Sequence, residues 1–435
     1  MEWYNITLLF IGSFLFLMLL GIPVVYSFLL INIITLYYLL GYQGLDLMIL
    51  SIYQSITTFN LLPITLFVFM GEVMFRTGIA MNMLDTIDKW ISRIPGRLAL
   101  VAVIGGAIAA SLSGASIATT AMLGSSLTPE MEKRGYKRSM SLGPILGSGG
   151  LAIMIPPTTL GVILAIISQI SVGRLLIGII IPGLLMALFY ALYVIIRCYL
   201  QPSIAPPYQI ADAPLSEKLI LTVKYIMPLG TIIFLVVGLI MLGVATPTEA
   251  AALGALGTVV LSIFYKEISF KKLKDSLGST MRISVMVLTI LAGSEAFAQI
   301  LAYIGLHRNL FEVINNLDVP SLFIIFLMLM VLLILGCFVN GIPLIMITMP
   351  IFIPIIGNYG YDPLWFGVIV LITIEMAQTT PPYGILLYVM KGVAPPDTTM
   401  SELINSAIPF LVCDFMVILL IILFPKIVIY LPSLF

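Results

Sequence analysis

Four places in the chain set small hydroxyl, amide and glycine residues inside otherwise apolar sequence. They are Ser111-Leu112-Ser113-Gly114-Ala115-Ser116, Ser148-Gly149-Gly150 with Pro156-Pro157-Thr158, Asn340-Gly341-Ile342-Pro343, and Gln378-Thr379-Thr380-Pro381-Pro382-Tyr383-Gly384. Hydroxyls and unwound backbone carbonyls are hard oxygen donors, and they bind a sodium ion without burying a formal negative charge. One sodium site is therefore expected from Ser111, Ser113, Gly114 and Ser116 with Gly149, Gly150 and Pro156. A second is expected from Asn340 and Gly341 with Thr379, Thr380 and Gly384. The same breaks predict half-helix N-termini after Ser116, Pro157, Pro343 and Pro382, whose free backbone donors suit a carboxylate. Ser116, Pro157, Thr158, Pro343 and Pro382 are accordingly the candidate substrate contacts, and neither tip contains Lys or Arg. Small residues also permit close helix packing; it is the matched recurrence of the constellation that favours the site.

Other chemistry is scarce. A single His307 excludes any centre that needs two imidazoles, and Cys198, Cys337 and Cys413 stand apart from one another. No nucleotide loop or nucleophile elbow occurs, so neither an enzyme nor an organic cofactor is expected. Carboxylates in apolar segments are functional candidates. Glu72, Glu295 and Glu375 are of this kind, and the last two read equally as proton carriers or as hydrogen-bonded structural groups. Glu249 follows Thr246-Pro247-Thr248, a capping arrangement that favours a structural role.

The elements that must hold these residues are membrane helices. Of the 435 residues 61% are hydrophobic and 9% charged, with a mean hydropathy of +1.17, whereas a soluble domain needs about 25% charged residues. Twenty Lys and Arg balance twenty Asp and Glu, which leaves no electrostatic footprint for nucleic acid. A crossing takes about 20 apolar residues. The first run, Ile6 to Leu40, is long enough for two helices that turn at Gly21-Ile22-Pro23. Further spans are predicted near 60–78, 138–170, 174–198, 218–243, 246–265, 277–303, 363–390 and 404–431, about ten crossings in all. Stretches 98–127 and 320–357 are broken at their centres and predict two re-entrant hairpins. Trp3, Trp90 and Trp365 are expected near the membrane interfaces.

An internal repeat joins these features. Adding 225 takes Pro129 to Pro354, Gly135-Tyr136 to Gly360-Tyr361, and Pro156-Pro157 to Pro381-Pro382, the pattern of an inverted-repeat transporter. If the first hairpin enters from the cytoplasm, every Lys and Arg faces inward except Arg174, Arg308 and Lys426, and both termini lie outside. The expected domains are scaffold helices over 1–59, repeat 1 over 60–200, a linker with scaffold helices over 201–276, and repeat 2 over 277–435. Pro-rich Gln201 to Lys218 is the cytoplasmic linker, and Met81 to Arg97 reads as an amphipathic surface helix.

At these residues the sequence resembles the large membrane (M) subunit of tripartite ATP-independent periplasmic (TRAP) transporters. The resemblance rests on Met70-Gly71-Glu72, Ile94-Pro95-Gly96-Arg97-Leu98-Ala99, the Ser111–Ser116 stretch, Pro129-Glu130-Met131, Arg134-Gly135-Tyr136, Ile155-Pro156-Pro157, Gly243-Val244-Ala245-Thr246-Pro247-Thr248-Glu249-Ala250-Ala251-Ala252 and Thr380-Pro381-Pro382. It spans essentially the whole chain, with Asn340 where an Asp is common and Thr158 where a Ser is common. It implies an all-α integral membrane protein of the ion-transporter superfamily, in the bacterial inner membrane and working as an elevator. It also implies sodium-driven inward movement of a small organic acid that a periplasmic solute-binding (P) protein delivers. A small four-helix membrane (Q) subunit is expected as a separate chain. A stand-alone, proton-coupled anion carrier of related fold is the alternative.

Overall fold

The computed structural model describes residues 3–91, 94–206, 214–315 and 319–435; for Trp3, Asn60, Leu112, Ser113, His307, Leu310, Ile314 and Asn315 it describes the backbone alone. The described residues form helices and connectors, with no strand among them. The first apolar run is split as its glycine and proline demand, into α1 (Trp3–Leu19) and α2 (Val24–Leu40). There follow α3 (Tyr42–Ile56), α4 (Leu62–Thr77) and α5 (Ile79–Trp90), the last two bent by 70° at Gly78. The sequence reading missed α3, because its Gln, Gly, Asp and Ser residues dilute the apolar run. The amphipathic expectation over Met81 to Arg97 is met by α5, which buries Ile79, Met83, Leu84 and Ile87. It ends at Trp90, and Arg93 lies outside the described residues.

Next come the paired helices α6 (Arg97–Ser113) and α7 (Ser116–Lys133), and α8 (Arg138–Met154), which bends by 42° into α9 (Thr159–Ile167). Then α10 (Val172–Gly178) leads into α11 (Ile180–Leu200). Beyond the linker, part of which lies outside the described residues, α12 (Leu215–Met241) carries two π turns and α13 (Pro247–Phe264) follows. The long α14 (Phe270–Tyr303) is succeeded by α15 (Leu306–Asn315). The chain then repeats its earlier pattern with α16 (Ser321–Gly336), α17 (Gly341–Asn358), α18 (Pro363–Thr379), α19 (Ile385–Val393) and the long α20 (Met400–Leu423).

Six helices among the described residues are long and apolar enough to cross a membrane, or eight if each bent pair is one span. One of the six is α17, which the sequence predicted as the second arm of a re-entrant hairpin. Two sets of helices pack mainly among themselves. In one, α4 lies on α13 and α14, and α14 lies on α2 and α3. Its core is a knot of Phe10, Phe14, Phe28 and Phe297 rings, with centroids 4.6–5.5 Å apart, and the Asn32 amide donates to the Gly293 carbonyl at 2.7 Å. In the other, α8 is surrounded by α6, α7, α11 and α20, and all but two of its residues are buried. Such a helix reads as uniformly apolar or small because no face of it meets water.

The repeat is legible helix by helix. Helices α7 and α17 are both 18 residues long, and their ends are 225 positions apart; α8 and α18 are both 17 residues long with the same offset. Gly135 and Gly360 take nearly the same left-handed turn (φ +78° and +73°), and Pro156-Pro157 and Pro381-Pro382 are both cis. The tyrosines that follow the two turn glycines are used alike. The Tyr136 hydroxyl accepts from the Leu98 N–H at 3.4 Å and the Tyr361 hydroxyl pairs with Ser321 Oγ at 2.8 Å, so each ties a connector to the start of a hairpin. Trp365 is a correction: it is buried, with its indole N–H on the Ile421 carbonyl at 2.9 Å, and is no interfacial anchor. Trp90 is half exposed and donates to Thr222 Oγ1 at 2.8 Å. The side chains of Trp3 and His307 lie outside the described residues.

Candidate functional site

The first hairpin tip turns at Gly114, whose left-handed φ of +58° caps α6 and whose N–H bonds the Ala110 carbonyl at 2.8 Å. The tip rests on the break after α8. A Cβ built on Gly114 would lie 3.4 Å from both the Pro157 carbonyl and Thr159 Oγ1. Thr158 caps α9 by accepting from the Gly161 N–H at 3.4 Å, and α7 begins at Ser116 as predicted. Ser111 Oγ donates to the Ile108 carbonyl at 2.7 Å, which leaves its lone pairs for another partner. The Ser113 side chain lies outside the described residues. Ser116 Oγ and, one turn along, Thr120 Oγ1 are buried and without a hydrogen-bond partner. Buried hydroxyls are ordinarily paired, so two orphans on one face of a helix mark a place built for something else. Thr120 was not foreseen; its position one turn after Ser116 was the available signal.

Gly149 and Gly150 correct the sequence reading. Ser148-Gly149-Gly150 was expected to unwind, yet α8 runs unbroken to Met154 and only 155–158 is irregular. The two glycines therefore offer space in place of free carbonyls. A Cβ on Gly149 would lie 1.9 Å from Thr120 Oγ1 and 3.5 Å from the Ser116 carbonyl, and one on Gly150 would lie 1.9 Å from Glu375 Oε1. The Gly150–Glu375 contact joins positions 225 apart, hence equivalent in the two repeats. Glu375 is 1% exposed and its Oε2 has no partner.

In the second half, 337–340 connects α16 to α17, which begins at Gly341. The helix start expected after Pro343 thus falls two residues earlier, and Pro343 is buried in the first turn, where a missing N–H costs nothing. A Cβ on Gly341 would lie 3.1 Å from Gln378 Nε2, itself buried and unpartnered. Gln378 and Thr379 are still helical, so the second break is 380–384. There the Gln378 and Thr380 carbonyls close on Gly384, at 3.1 and 2.8 Å from its Cβ position. Thr379 Oγ1 and Thr380 Oγ1 donate to Met376 O at 3.1 and 2.5 Å, which leaves their lone pairs for a cation. Beyond Pro382 the next helix starts at Ile385.

The two tips share a cavity of about 540 Å³, lined by Gly114 and Ser116 from the first, Asn340 from the second, and Thr159 and Gln378 from the broken helices. Ser116 alone of the five candidate substrate residues lines it; Pro157, Thr158, Pro343 and Pro382 are not among its lining residues. Its far side is α4, with Glu72 and Arg76. A second cavity, of about 840 Å³, lies between 54–59, 165–173 and 245–248, with Glu295 as the one ionisable residue lining it among the described residues. Asp414 was missed altogether. It stands in the apolar middle of α20, well beyond Glu402 of the first turn, is 2% exposed, and accepts from the Tyr190 hydroxyl. Glu249 closes a capping box on Thr246, with bonds of 2.8 and 3.3 Å. Its structural reading holds, and Thr399 and Glu402 build a second box of the same kind.

An all-helical membrane protein in which two matched hairpins pack against two broken helices has the repeat architecture found among membrane transporters. Residues 11–427 match the model of the tripartite ATP-independent periplasmic transporter, DctM component, and the chain belongs to that family. It is therefore a multi-pass protein of the bacterial inner membrane. The chain is 30% identical to a putative TRAP transporter large permease protein of Haemophilus influenzae, over 85% of this chain and 91% of that one. It is 28% identical to the C4-dicarboxylate TRAP transporter large permease protein DctM of Rhodobacter capsulatus, over 98% and 99%. Its fold is similar to the crystal structure of the Alcanivorax borkumensis YdaH transporter, with a TM-score of 0.59 over 88% of this chain and 89% of that one at 16% identity.

Proposed function

We propose that this chain is the carrier subunit of a sodium-driven uptake system for a small organic acid of the C4-dicarboxylate kind. In this reading a periplasmic solute-binding protein delivers the acid and a small four-helix membrane subunit stands beside the carrier. The observation that carries the proposal is the matched pair of tips and breaks, with the orphaned Ser116 and Thr120 hydroxyls at the first and, at the second, the Thr379 and Thr380 hydroxyls with the Gln378 and Thr380 carbonyls around Gly384. The first sodium ion would be held by Ser116 and Thr120, with Ser111, Ser113 and the irregular backbone at 155–158. The second would be held by Thr379, Thr380 and the carbonyls around Gly384, with Asn340 and Gly341. Two cations beside a cavity of solute size lower the cost of bringing in a carboxylate, and the α7 and α17 N-termini add backbone donors. Helices α6–α9 and α16–α19 would move as a unit against α2–α4, α13 and α14, braced by the amphipathic α5 and α15.

The test is thermal stability of the purified chain across a sodium series at constant ionic strength in choline. A ligand bound only by the folded state stabilises it by RT ln(1 + [L]/Kd), so sodium should raise the transition selectively. Thr120→Ala and Thr380→Ala should each remove part of the rise, and a flat sodium response would overturn the reading. A stand-alone proton-coupled carrier is the second reading. It is favoured by the unpartnered Glu375 carboxylate close to Asp414, and a stability that follows pH and ignores sodium would select it.

A further inference from the structure

The wall of the tip cavity that faces the hairpins carries one cation. Arg76 Nε donates to Glu72 Oε2 at 3.0 Å, a turn earlier on α4, and its Nη2 donates to Ser279 Oγ of α14 at 2.7 Å. Nη1 has no bond among the described residues. The Arg76 side chain is 32% exposed and that of Glu72 22%, and both line the cavity with Ser116, Asn340 and Gln378. Among the described residues Arg76 and Glu72 are the only charged ones lining it. An i,i+4 ion pair that is partly open to solvent is a weak contact, so this one is readily exchanged. A guanidinium held on two sides with an open edge is preorganised for a carboxylate, which it binds through two parallel N–H bonds.

We propose that Arg76, steadied by Ser279, is a carboxylate subsite for the transported acid, with Glu72 as an internal competitor that occupies Arg76 when the cavity is empty. The subsite rests on the carrier reading above and adds a fixed contact to it. Arg76 and Ser279 belong to α4 and α14, outside the helices that carry the tips, so a solute seated at the tips meets this arginine only where the tips stand beside α4. The acid would enter or leave through a bidentate handover from Glu72.

The sign of two substitutions tests this. The full chain in lipid nanodiscs, loaded with sodium, is titrated with succinate, malate and gluconate, and binding is read from the shift in unfolding temperature. Arg76→Gln should raise the apparent Kd for these acids about tenfold or more, the loss of one charge-assisted contact, and leave the sodium response intact. Arg76→Lys should recover part of the loss. Glu72→Gln should lower the Kd severalfold, because the competitor is gone; it provides an independent answer if Arg76→Gln does not fold. A structural ion pair predicts instead that both neutral variants weaken binding equally, or that neither changes it, and either result overturns the subsite while the sodium response still supports the carrier. Failure of all three acids to bind the sodium-loaded wild-type chain at millimolar concentration also overturns it. Loss of the sodium response in the wild-type chain marks failure of the carrier reading itself.

Discussion

Gly150 and Glu375 allow a prediction whose sign, and not only its size, depends on one contact. A methyl group at position 150 would stand 1.9 Å from Glu375 Oε1, 2.3 Å from its Cδ and 2.6 Å from its Cγ. To restore an ordinary separation of 3.4 Å the carboxylate must withdraw by about 1.5 Å. It is 1% exposed, on a helix packed against α8, α16, α17 and α20, and has nowhere to go without moving backbone. Overpacking of this kind costs about 1–3 kcal/mol. In the absence of the clash, Gly→Ala inside a helix is favourable by up to about 1 kcal/mol. Gly150→Ala should therefore destabilise the wild-type chain and stabilise the Glu375→Ala chain, with a coupling energy of about 1–3 kcal/mol between the two sites, because the helix-propensity gain is common to both backgrounds and cancels. The assay is denaturation of the four proteins of the cycle in mixed lipid–detergent micelles, followed by helical circular dichroism. If Gly150→Ala shifts the transition in the same direction in both backgrounds, the carboxylate does not occupy the space the glycine provides, and the account of the repeat contact is wrong.

Two further substitutions probe the helix framework. Gly183→Ala would bring a Cβ to 2.3 Å from the Met154 carbonyl oxygen and 3.0 Å from its carbon; backbone cannot swing aside, so a loss of about 3 kcal/mol is expected, whereas Gly230→Ala, with nothing within 4 Å, should be neutral or stabilising by about 0.5–1 kcal/mol in the same unfolding assay. Thr246→Ala removes the hydroxyl that caps α13 and one half of its capping box, which should lower stability by about 1 kcal/mol, and Thr246→Ser should retain most of it.

The fold was largely readable because membrane helices announce themselves through length and composition, and because proline and glycine mark where they stop. The split at Gly21-Ile22-Pro23, the tip at Gly114 and the breaks beside both proline pairs fell where their chemistry required. What the sequence hid was which short polar stretches stay helical. Ser148-Gly149-Gly150 looked like unwound backbone, since glycine is the weakest helix former after proline. In the structure each glycine is helical and is there for its missing side chain, a choice dictated by Thr120 and Glu375 on other helices, and no local pattern reveals a neighbour from a distant segment. Helix α3 escaped for the opposite reason, its polar residues being spent on packing: the Ser51 hydroxyl lies within hydrogen-bond reach of the Leu47 carbonyl and of the Gln299 side-chain amide on α14. Asp414 was visible as a lone acid in an apolar run but was not weighed, and its partner Tyr190 lies 224 positions away.

The repeats are alike in backbone and unlike where they meet. At the position where repeat 1 has Gly150, repeat 2 has Glu375; where repeat 1 has Ser116 and Gly149, repeat 2 has Gly341 and Ile374. Each contact is made by one large and one small partner. Where the repeats cross, Gly150 makes room for Glu375; within repeat 1 Gly149 makes room for Thr120, and within repeat 2 Gly341 makes room for Ile374 and Gln378. Two identical repeats could not do this, since two glutamates at the crossing would collide and two glycines would leave a void, and both outcomes are destabilising. Divergence at the crossing is thus a packing requirement of the inverted repeat. It has a chemical consequence as well: the first tip keeps its orphaned hydroxyls on the helix itself, while the second gathers its oxygens at the end of α18 and in the 380–384 loop that follows. If the two proposed sodium sites are built this differently, they are expected to differ in affinity, so a sodium titration of the unfolding temperature should fit two unequal binding constants, with Thr120→Ala and Thr380→Ala each shifting a different one. A single shared constant, weakened alike by either substitution, would refute that asymmetry.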